Sequence, residues 1–280
     1  MNFPLVTTQW LADNLANKNL VLLDASMSKV IGTTPIVYDQ PVFIPSARKL
    51  DLEGNFCDLN SAMIHAFPTE EQFTEKARNL GINTESIVII YDNQGVYSAP
   101  RAWWIFQAMG HESTFVLDGG LPKWLAELRE AVSSMAKPNE LGDIRGVLQP
   151  DRVCDSSYLL KELDAERVTA VDARSAERFS GAAPEPREGV RSGHVPGSQN
   201  LPFSEVLSGH SFKSTEQLKA VFSCLVPHEN QQTVFSCGSG ITACIILMAA
   251  VIAGHQNNVL YDGSWADWGS NPSLPVATLD

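Results

Sequence analysis

A single stretch decides the fold of this 280-residue chain: Thr233-Val-Phe-Ser-Cys237-Gly-Ser-Gly-Ile-Thr-Ala-Cys244. It begins with an apolar run of β type that ends at Ser236, and a glycine-spaced loop follows at Cys237. The apolar run Ile241 to Ala253 then continues without a break, so the pattern predicts a strand, a tight loop and a helix. Apolar strands that alternate with helices indicate an α/β fold with a parallel sheet, whose ligand site lies at the carboxyl ends of the strands.

The loop after Cys237 is suited to an anion. Gly238 and Gly240 can adopt backbone angles closed to other residues, which lets the loop turn its N–H groups toward the sulfur. The helix that begins near Ile241 adds unpaired N–H groups and the positive end of its dipole. These features favour a thiolate over a thiol, and the thiolate is the nucleophilic form. Burial as a small apolar side chain is the alternative, but glycine and serine neighbours pack poorly, so we interpret Cys237 as a nucleophile.

The chain contains two copies of one unit, offset by 144 positions without a gap. The coinciding pairs are His255 with His111, Asp262 with Asp118, Gly263 with Gly119, and Trp268 with Trp124. The same offset lays the strand-like run 233–236 over 89–92 and Cys237 over Asn93. Neither Asn93 nor the preceding Asp92 is a comparable nucleophile at neutral pH, so we expect the first copy to be catalytically silent.

Local signals agree between the copies. Thr69-x-x-Gln72 and Ser214-x-x-Gln217 each have the spacing of a capping box that opens a helix. The apolar runs 21–25 and 170–173, which both end in Asp-Ala, are typical of buried strands. We therefore predict a domain over residues 1–135, a polar linker over 136–150 and a second domain over 151–280.

Motifs along nearly the whole chain carry a resemblance to a known family. They are Cys237-Gly-Ser-Gly-Ile-Thr242, Val171-Asp-Ala-Arg174, Arg178-Phe179, Glu185-Pro-Arg187, Gly193-His-Val-Pro-Gly197, Asn200-Leu-Pro-Phe203, Leu260-Tyr-Asp-Gly-Ser-Trp265 with Trp268, Ala99-Pro-Arg-Ala-Trp-Trp104, and Asp118-Gly-Gly-Leu121 with Trp124. This ordered series resembles the rhodanese superfamily, most closely its two-domain 3-mercaptopyruvate sulfurtransferases. The resemblance implies an α/β fold of two tandem rhodanese-like domains, each a parallel sheet covered by helices on both faces, with the first domain catalytically inactive.

The resemblance also implies roles for individual residues. Cys237 would carry sulfur as a persulfide, and Arg178 and Arg187 would hold the substrate carboxylate through paired hydrogen bonds. Surface ion pairing with neighbouring glutamates is the alternative for these arginines. The loop residues that would complete the substrate-binding set are Gly238, Gly240, Ile241 and Thr242.

A second group would protonate the leaving enolate of pyruvate. It consists of Ser239, His65 and a carboxylate from the first half of the chain. The spacing around His65 departs from the family pattern by about one residue, so the carboxylate is left open among Asp51, Glu53 and Asp58. A purely structural loop histidine is the alternative for His65.

The implied reaction moves sulfur from 3-mercaptopyruvate through Cys237 to a thiol acceptor such as thioredoxin or a small dithiol, or to cyanide, and releases pyruvate. No cofactor or metal is implied. Thiosulfate:cyanide sulfurtransferase activity is the nearest alternative, although that branch carries basic side chains in the loop where this chain has Gly238 and Ser239. A cysteine phosphatase is disfavoured because Ala243 stands where an arginine would close the loop. A sulfur relay or binding module without enzyme activity is the alternative of another class.

The bulk properties exclude other classes. The formal net charge is −12 and there is no basic run, which disfavours nucleic acid and anionic membranes as partners. Five cysteines without a Cys-x-x-Cys pair or zinc spacing, no visible targeting segment and no apolar run long enough for a bilayer lead us to expect a cytoplasmic protein. Structural roles are expected for Cys57, Cys154, Cys224, Cys244, His111, His194, His255 and Arg174.

Overall fold

The computed structural model describes residues 3–226 and 231–279. The chain divides into two compact units that are not continuous in sequence. The first comprises Met1–Leu59, Phe67–Gln149 and Ser208–Phe212; the second comprises Asn60–Ala66, Pro150–Leu207 and Lys213–Asp280. Each half of the sequence therefore contributes a short segment to the unit formed mainly by the other half.

The first unit is a five-stranded sheet flanked by helices. Its strands are β1 (Leu5–Val6), β2 (Leu20–Asp24), β3 (Arg48–Lys49), β4 (Ile87–Tyr91) and β5 (Thr114–Leu117), and its helices are α1 (Thr8–Asn14), α2 (Glu70–Asn79), α3 (Ala99–Ala108) and α4 (Gly120–Ala126). The strand order is β1-β5-β4-β2-β3 and every pair is parallel. The central strands are almost continuously apolar because a parallel sheet is buried on both faces. One part of the core, around Leu22, Ile89 and Trp124, packs against this sheet.

The second unit repeats this plan. Its strands are β6 (Val153–Cys154), β7 (Val168–Asp172), β8 (Gln199–Asn200), β11 (Gln232–Ser236) and β12 (Asn258–Tyr261), and its helices are α5 (Ser156–Asp164), α6 (Ala176–Ser180), α7 (Thr215–Leu225), α8 (Ala243–Ala253), α9 (Ser264–Trp268) and a 3₁₀ turn (Phe203–Val206). The order β6-β12-β11-β7-β8 is the order of the first sheet, again with parallel pairs. Its core contains Val234, Tyr261 and Trp268. The predicted fold of two parallel α/β units is confirmed.

Two further strands form a separate ribbon. β9 (Leu207–Ser208) pairs with β10 (Ser211–Phe212). Residues 208–212 belong to the first unit, where the N–H of Phe212 donates to Oδ1 of Asp118 at 3.1 Å.

Both predicted capping boxes are confirmed. The hydroxyl of Thr69 accepts from the N–H of Gln72 at 3.2 Å, and the Gln72 side chain accepts from the N–H of Thr69 at 2.9 Å. The reciprocal bonds between Ser214 and Gln217 measure 3.3 and 3.0 Å. Each box satisfies two backbone N–H groups that a helix start would otherwise leave unpaired.

The segment predicted as a linker, residues 136–150, differs from that expectation over most of its length. Residues up to Gln149 belong to the first unit. The side chain of Ile144 is 2% exposed, and its N–H donates to the carbonyl of Ile82 at 3.2 Å. The N–H of Gln149 donates to the carbonyl of Ala108 at 2.8 Å. One buried isoleucine and regular backbone bonding hold this polar segment in place, so the change of unit falls between Gln149 and Pro150.

Helix α8 is apolar on all sides, and all eleven of its residues are buried. A helix of this kind belongs to the interior of a domain. Within residues 3–226 and 231–279, no helix is long and apolar enough to cross a membrane.

Candidate active site

Cys237 lies at the carboxyl end of β11, at the first position of the loop that leads into α8. Its side chain is buried, with 2% of the residue exposed. Its N–H donates to the hydroxyl of Ser264 at 3.1 Å, and its carbonyl accepts from the N–H of Trp265 at 2.9 Å. The start of α9 therefore fixes the backbone of this cysteine on both sides.

Ser264 is a site residue that the sequence analysis did not identify. It is fully buried, it has a left-handed φ of 50°, and its hydroxyl donates to the carbonyl of Tyr261 at 3.0 Å. A left-handed serine is uncommon and marks a position held by its surroundings. A signal was available in the internal repeat, because the corresponding residue of the first copy is Gly120, with a φ of 51°.

The loop presents backbone donors that the protein itself does not use. The N–H groups of Gly238, Ser239, Ile241 and Thr242 have no hydrogen-bond acceptor among the residues that the structure describes. Gly240 has a φ of 79°, a conformation that favours glycine. These donors lie immediately before the first turn of α8, whose dipole adds positive potential. The loop can thus stabilise an anion.

Two guanidinium groups approach the same loop. A β-carbon added at Gly238 would lie 3.0 Å from Nη2 of Arg178 and 3.8 Å from Nη1 of Arg187. Gly238 therefore keeps open the space next to the nucleophile that these two arginines border. Within the described part of the chain, Arg187 makes no hydrogen bond or ion pair, so its donors are available to a ligand.

Arg178 also makes the ion pair that was its alternative role. Its Nη2 and Nε donate to Glu185 at 2.5 and 3.1 Å. Glu185 accepts in addition from Nη1 of Arg174 at 2.8 Å, and Arg174 grips Asp172 through Nη2 at 2.7 Å. Burial lowers the pKa of Arg174, but Asp172 and Glu185 outweigh it and leave the pKa above its usual value. The structural ion pair expected for Arg174 is confirmed. Its guanidinium also stacks over Trp265, with Cζ 4.4 Å from the centroid of the ring.

His65 and Ser239 are brought together as expected. Nδ1 of His65 lies 3.1 Å from Oγ of Ser239, although the two residues are 174 positions apart. His65 belongs to the segment Asn60–Ala66, which is part of the second unit. Its φ of 55° places it among the left-handed residues, where histidine is tolerated better than most side chains.

The three candidate carboxylates lie in the first unit and accept hydrogen bonds there. Asp51 accepts from the N–H groups of its neighbours Glu53 and Gly54, both at 3.0 Å. Glu53 accepts from the hydroxyl of Ser28 at 3.1 Å, and Asp58 accepts from the side chain of Gln72 at 2.9 Å. The choice among them stays a prediction.

Most of the remaining cysteines and histidines have the surroundings of structural residues, whereas Cys224 is exposed and its role stays a prediction. Cys244 is fully buried and donates to the carbonyl of Gly240 at 3.3 Å. Burial raises the pKa of the Cys154 thiol and of the Cys57 thiol, which disfavours their reactive thiolates. His194 stacks on Phe179 with ring centroids 3.9 Å apart. No group of three or more His, Cys, Asp or Glu side chains that could hold a metal occurs within the described ranges.

The first unit has a corresponding loop, and the structure corrects the residue assigned to the cysteine position. Two pairs of backbone hydrogen bonds fix the correspondence. The N–H of Ala25 donates to the carbonyl of Tyr91, just as the N–H of Ala173 donates to the carbonyl of Ser236. The N–H of Leu121 donates to the carbonyl of Asp92, just as the N–H of Trp265 donates to the carbonyl of Cys237. Asp92, rather than Asn93, therefore occupies the place of Cys237. The offset of 144 holds from α3 and α8 onward, but the first loop is one residue longer, so the strands β4 and β11 that precede the loops are offset by 145.

Asp92 fills the loop that it opens. Its carboxylate accepts from the N–H groups of Gln94, Tyr97, Ser98 and Ala99 at 2.8 to 2.9 Å. Burial raises its pKa, while these four hydrogen bonds act in the opposite direction. The fold itself thus shows that the N–H groups of a loop of this type can hold a carboxyl group at the nucleophile position.

Comparisons with known proteins agree with the geometry. The family model of the Rhodanese-like domain matches residues 7–127 and 155–271. The chain is 38% identical over 272 residues to 3-mercaptopyruvate sulfurtransferase of Rattus norvegicus, which covers 94% of this chain and 91% of the relative. It is 35% identical over 299 residues to Thiosulfate/3-mercaptopyruvate sulfurtransferase 1, mitochondrial, of Arabidopsis thaliana, with 99% and 79% covered.

A solved structure gives the same result. The crystal structure of SseA from Escherichia coli, described as having the rhodanese fold of 3-mercaptopyruvate sulfotransferases, superposes with a TM-score of 0.80 at 30% identity. The match covers 93% of this chain and 98% of that chain. Two family matches, one on each repeat, together with full-length relatives, confirm the resemblance read from the motifs. This chain belongs to the rhodanese family, as a tandem member whose second unit carries the cysteine loop.

Proposed function

We propose that this protein transfers sulfur from 3-mercaptopyruvate to a thiol acceptor through a persulfide on Cys237. The observation that carries the proposal is the approach of Arg178 and Arg187 to the loop at Gly238. A carboxylate bound by these guanidiniums would place a three-carbon donor beside the sulfur of Cys237. Guanidinium groups bind carboxylates through paired, charge-assisted hydrogen bonds.

In the first step, the Cys237 thiolate attacks the sulfur of 3-mercaptopyruvate. The carbon–sulfur bond breaks, its electron pair goes to the carbon, and the sulfur stays on Cys237 as a persulfide. The proton of the donor thiol is released from this sulfur, and the N–H groups of the loop stabilise the negative charge that remains on it. The corresponding loop around Asp92 supports this assignment because it holds a carboxylate through four such bonds.

The leaving group is the enolate of pyruvate, which needs one proton. Ser239 is the donor that we assign to it, and His65, 3.1 Å away, returns a proton to the serine. The carboxylate that would orient His65 is one of Asp51, Glu53 and Asp58. Pyruvate is then bound only through its carboxylate to the arginines, and it dissociates.

In the second step, an acceptor thiol attacks the outer sulfur of the persulfide. The sulfur–sulfur bond breaks, the Cys237 thiolate is restored and the acceptor leaves as a persulfide. A small dithiol or thioredoxin fits this role, and cyanide replaces the thiol in an assay. We propose the cytoplasm as the compartment, which fractionation of cells followed by detection of the protein would test.

The decisive experiment measures pyruvate release from 3-mercaptopyruvate with a dithiol acceptor, beside thiocyanate formation from thiosulfate and cyanide. We expect a clear preference for 3-mercaptopyruvate, and no activity in Cys237→Ser. The name of the Arabidopsis relative includes both donors, so the two assays must be run on the same preparation. A preference for thiosulfate would overturn the donor assignment. Activity with neither donor would overturn the enzyme assignment in favour of a relay or binding module.

A further inference from the structure

Glu185 lies between two arginines with different surroundings. It accepts from Arg174, whose side chain is completely buried, and from Arg178, whose side chain is 17% exposed and borders the Cys237 loop. The Glu185 side chain itself is 3% exposed. This carboxylate is therefore hydrogen-bonded on both sides and has little contact with solvent.

The formal charges of this group can be counted. Asp172 and Glu185 contribute two negative charges, and Arg174 and Arg178 contribute two positive charges, all joined by hydrogen bonds. These four cancel. Arg187 makes no ion pair within the described part of the chain, so one positive charge remains next to the loop.

We propose that Glu185 determines donor specificity by holding the net charge beside Cys237 at one, which selects a singly charged donor over a doubly charged one. The proposal rests on the function proposed above and adds the physical basis of its selectivity. At neutral pH 3-mercaptopyruvate carries one carboxylate and an ordinary thiol of pKa about 8.5, whereas thiosulfate is a dianion. A dianion would leave one negative charge unbalanced in a partly buried site, and such a charge is costly.

Glu185 also positions Arg178. Its carboxylate oxygens accept hydrogen bonds from Nε and Nη2 of Arg178, which fixes the orientation of this guanidinium near Gly238. Charge and position must therefore be separated by two variants. Glu185→Gln keeps the size and an accepting oxygen but removes the charge, while Glu185→Asp keeps the charge and shortens the reach.

The experiment compares kcat/KM for thiosulfate and for 3-mercaptopyruvate in the full-length protein. In Glu185→Gln we expect the ratio of thiosulfate to 3-mercaptopyruvate to rise roughly tenfold, mainly through a lower KM for thiosulfate, because charges near a protein surface interact strongly at contact distance. In Glu185→Asp we expect both values to fall while the ratio stays within about twofold of the wild type. Glu162→Gln, which removes a surface ion pair with Arg167, is the matched control and should change neither.

Inhibition by unreactive anions reports the same property. Sulfate, a dianion, and pyruvate, a monoanion, are tested as competitive inhibitors of 3-mercaptopyruvate turnover, which is followed by the loss of acceptor thiol. We expect Glu185→Gln to lower the inhibition constant of sulfate roughly tenfold and to leave that of pyruvate nearly unchanged.

An unchanged ratio in Glu185→Gln, with both donors impaired equally, would show that Glu185 only supports the fold. A ratio shift of the same size in Glu185→Asp would show that geometry, not charge, sets the preference. Either result would overturn the inference while the wild type still prefers 3-mercaptopyruvate. A wild type without that preference is the separate failure of the proposed function.

Discussion

The loop that follows β4 and the loop that follows β11 have the same place in the two sheets and different contents. Asp92 fills the first with its own carboxylate, whereas the second begins with Cys237 and leaves several N–H groups without a described acceptor. The comparison teaches that the loop is an anion site first, and that the residue at its first position decides what the anion is. A carboxylate fills the site permanently, whereas under the proposed function Cys237 would carry the anion as a persulfide that forms and is then removed.

The segments between the second and third strands of each unit, in chain order, also differ, because one covers its loop and the other supplies positive charge to it. Between β2 and β3, the chain covers the first loop: the N–H of Ile31 donates to the hydroxyl of Tyr97 at 2.8 Å, and the hydroxyl of Tyr38 donates to the carbonyl of Asn93 at 2.9 Å. Burial, and then the charge of Asp92, raises the pKa of Tyr38 to about 12, so this donor keeps its proton at neutral pH. Between β7 and β8, the chain instead supplies Arg178 and Arg187.

The largest effect is expected from making the second loop like the first. In Cys237→Asp we expect sulfur transfer to fall by at least about a thousandfold, because the nucleophile is gone. We expect the variant to fold, because a carboxylate is already accommodated at this place in the first unit. Pyruvate release and thermal unfolding measure the two outcomes. An unfolded Cys237→Asp protein, beside a folded Cys237→Ser protein, would mean that the two loops differ more than their hydrogen bonds indicate.

Removing the anion from the first loop should affect stability rather than catalysis. Asp92→Ala leaves buried N–H groups unpaired, and we expect a loss of about 2–4 kcal/mol in the free energy of unfolding. Denaturant unfolding gives this value, and the kcat of the folded variant should stay within about twofold of the wild type. Asp13→Ala is the control, since Asp13 is exposed and, among the residues that the structure describes, its side chain accepts only from Gln9, at 2.8 Å. A loss no larger than that of the control would contradict the anchoring role of Asp92.

The smallest effect is expected from placing a cysteine at the position that simple alignment suggests. Asn93→Cys in a Cys237→Ser background should give no measurable sulfur transfer, because Asp92 occupies the loop N–H groups and the segment 25–47 between β2 and β3 contains no arginine. Transfer of labelled sulfur to the protein, followed by mass spectrometry of residue 93, detects a persulfide. Formation of one would show that the first loop can open, and the contrast between the loops would then rest on the cysteine alone.

Much of the fold was predictable from the sequence because its signals are local or repeated. The apolar runs, the two capping boxes and the offset of 144 lead to two parallel α/β units, and the structure confirms them. The place of Asp92 was not predictable in this way. One extra residue in the first loop changes the offset from 145 before the loop to 144 after it, and the gap-free match of the residues that follow the loop conceals this change.

The site was predictable as a set of residues but not as a network. The motifs pointed to Cys237, Arg178 and Arg187, and the structure has both arginines near Gly238 in the loop of Cys237 and Nδ1 of His65 3.1 Å from Oγ of Ser239. The shared carboxylate of Glu185 and the left-handed Ser264 depend on tertiary packing, which leaves no periodic pattern in the sequence. Ser264 had a signal in its repeat partner Gly120, and Glu185 had one in its position beside Arg187, but neither signal predicted the contacts that these residues make.

The discontinuous make-up of the two units has a consequence for dividing the protein. A gene fragment cut between Gln149 and Pro150 would encode the cysteine loop without the segment Asn60–Ala66, and hence without His65. The other fragment would lack Ser208–Phe212, whose Phe212 bonds to Asp118. Each half of the sequence therefore lacks a segment of the unit that it mainly forms, so neither fragment alone would encode a complete unit.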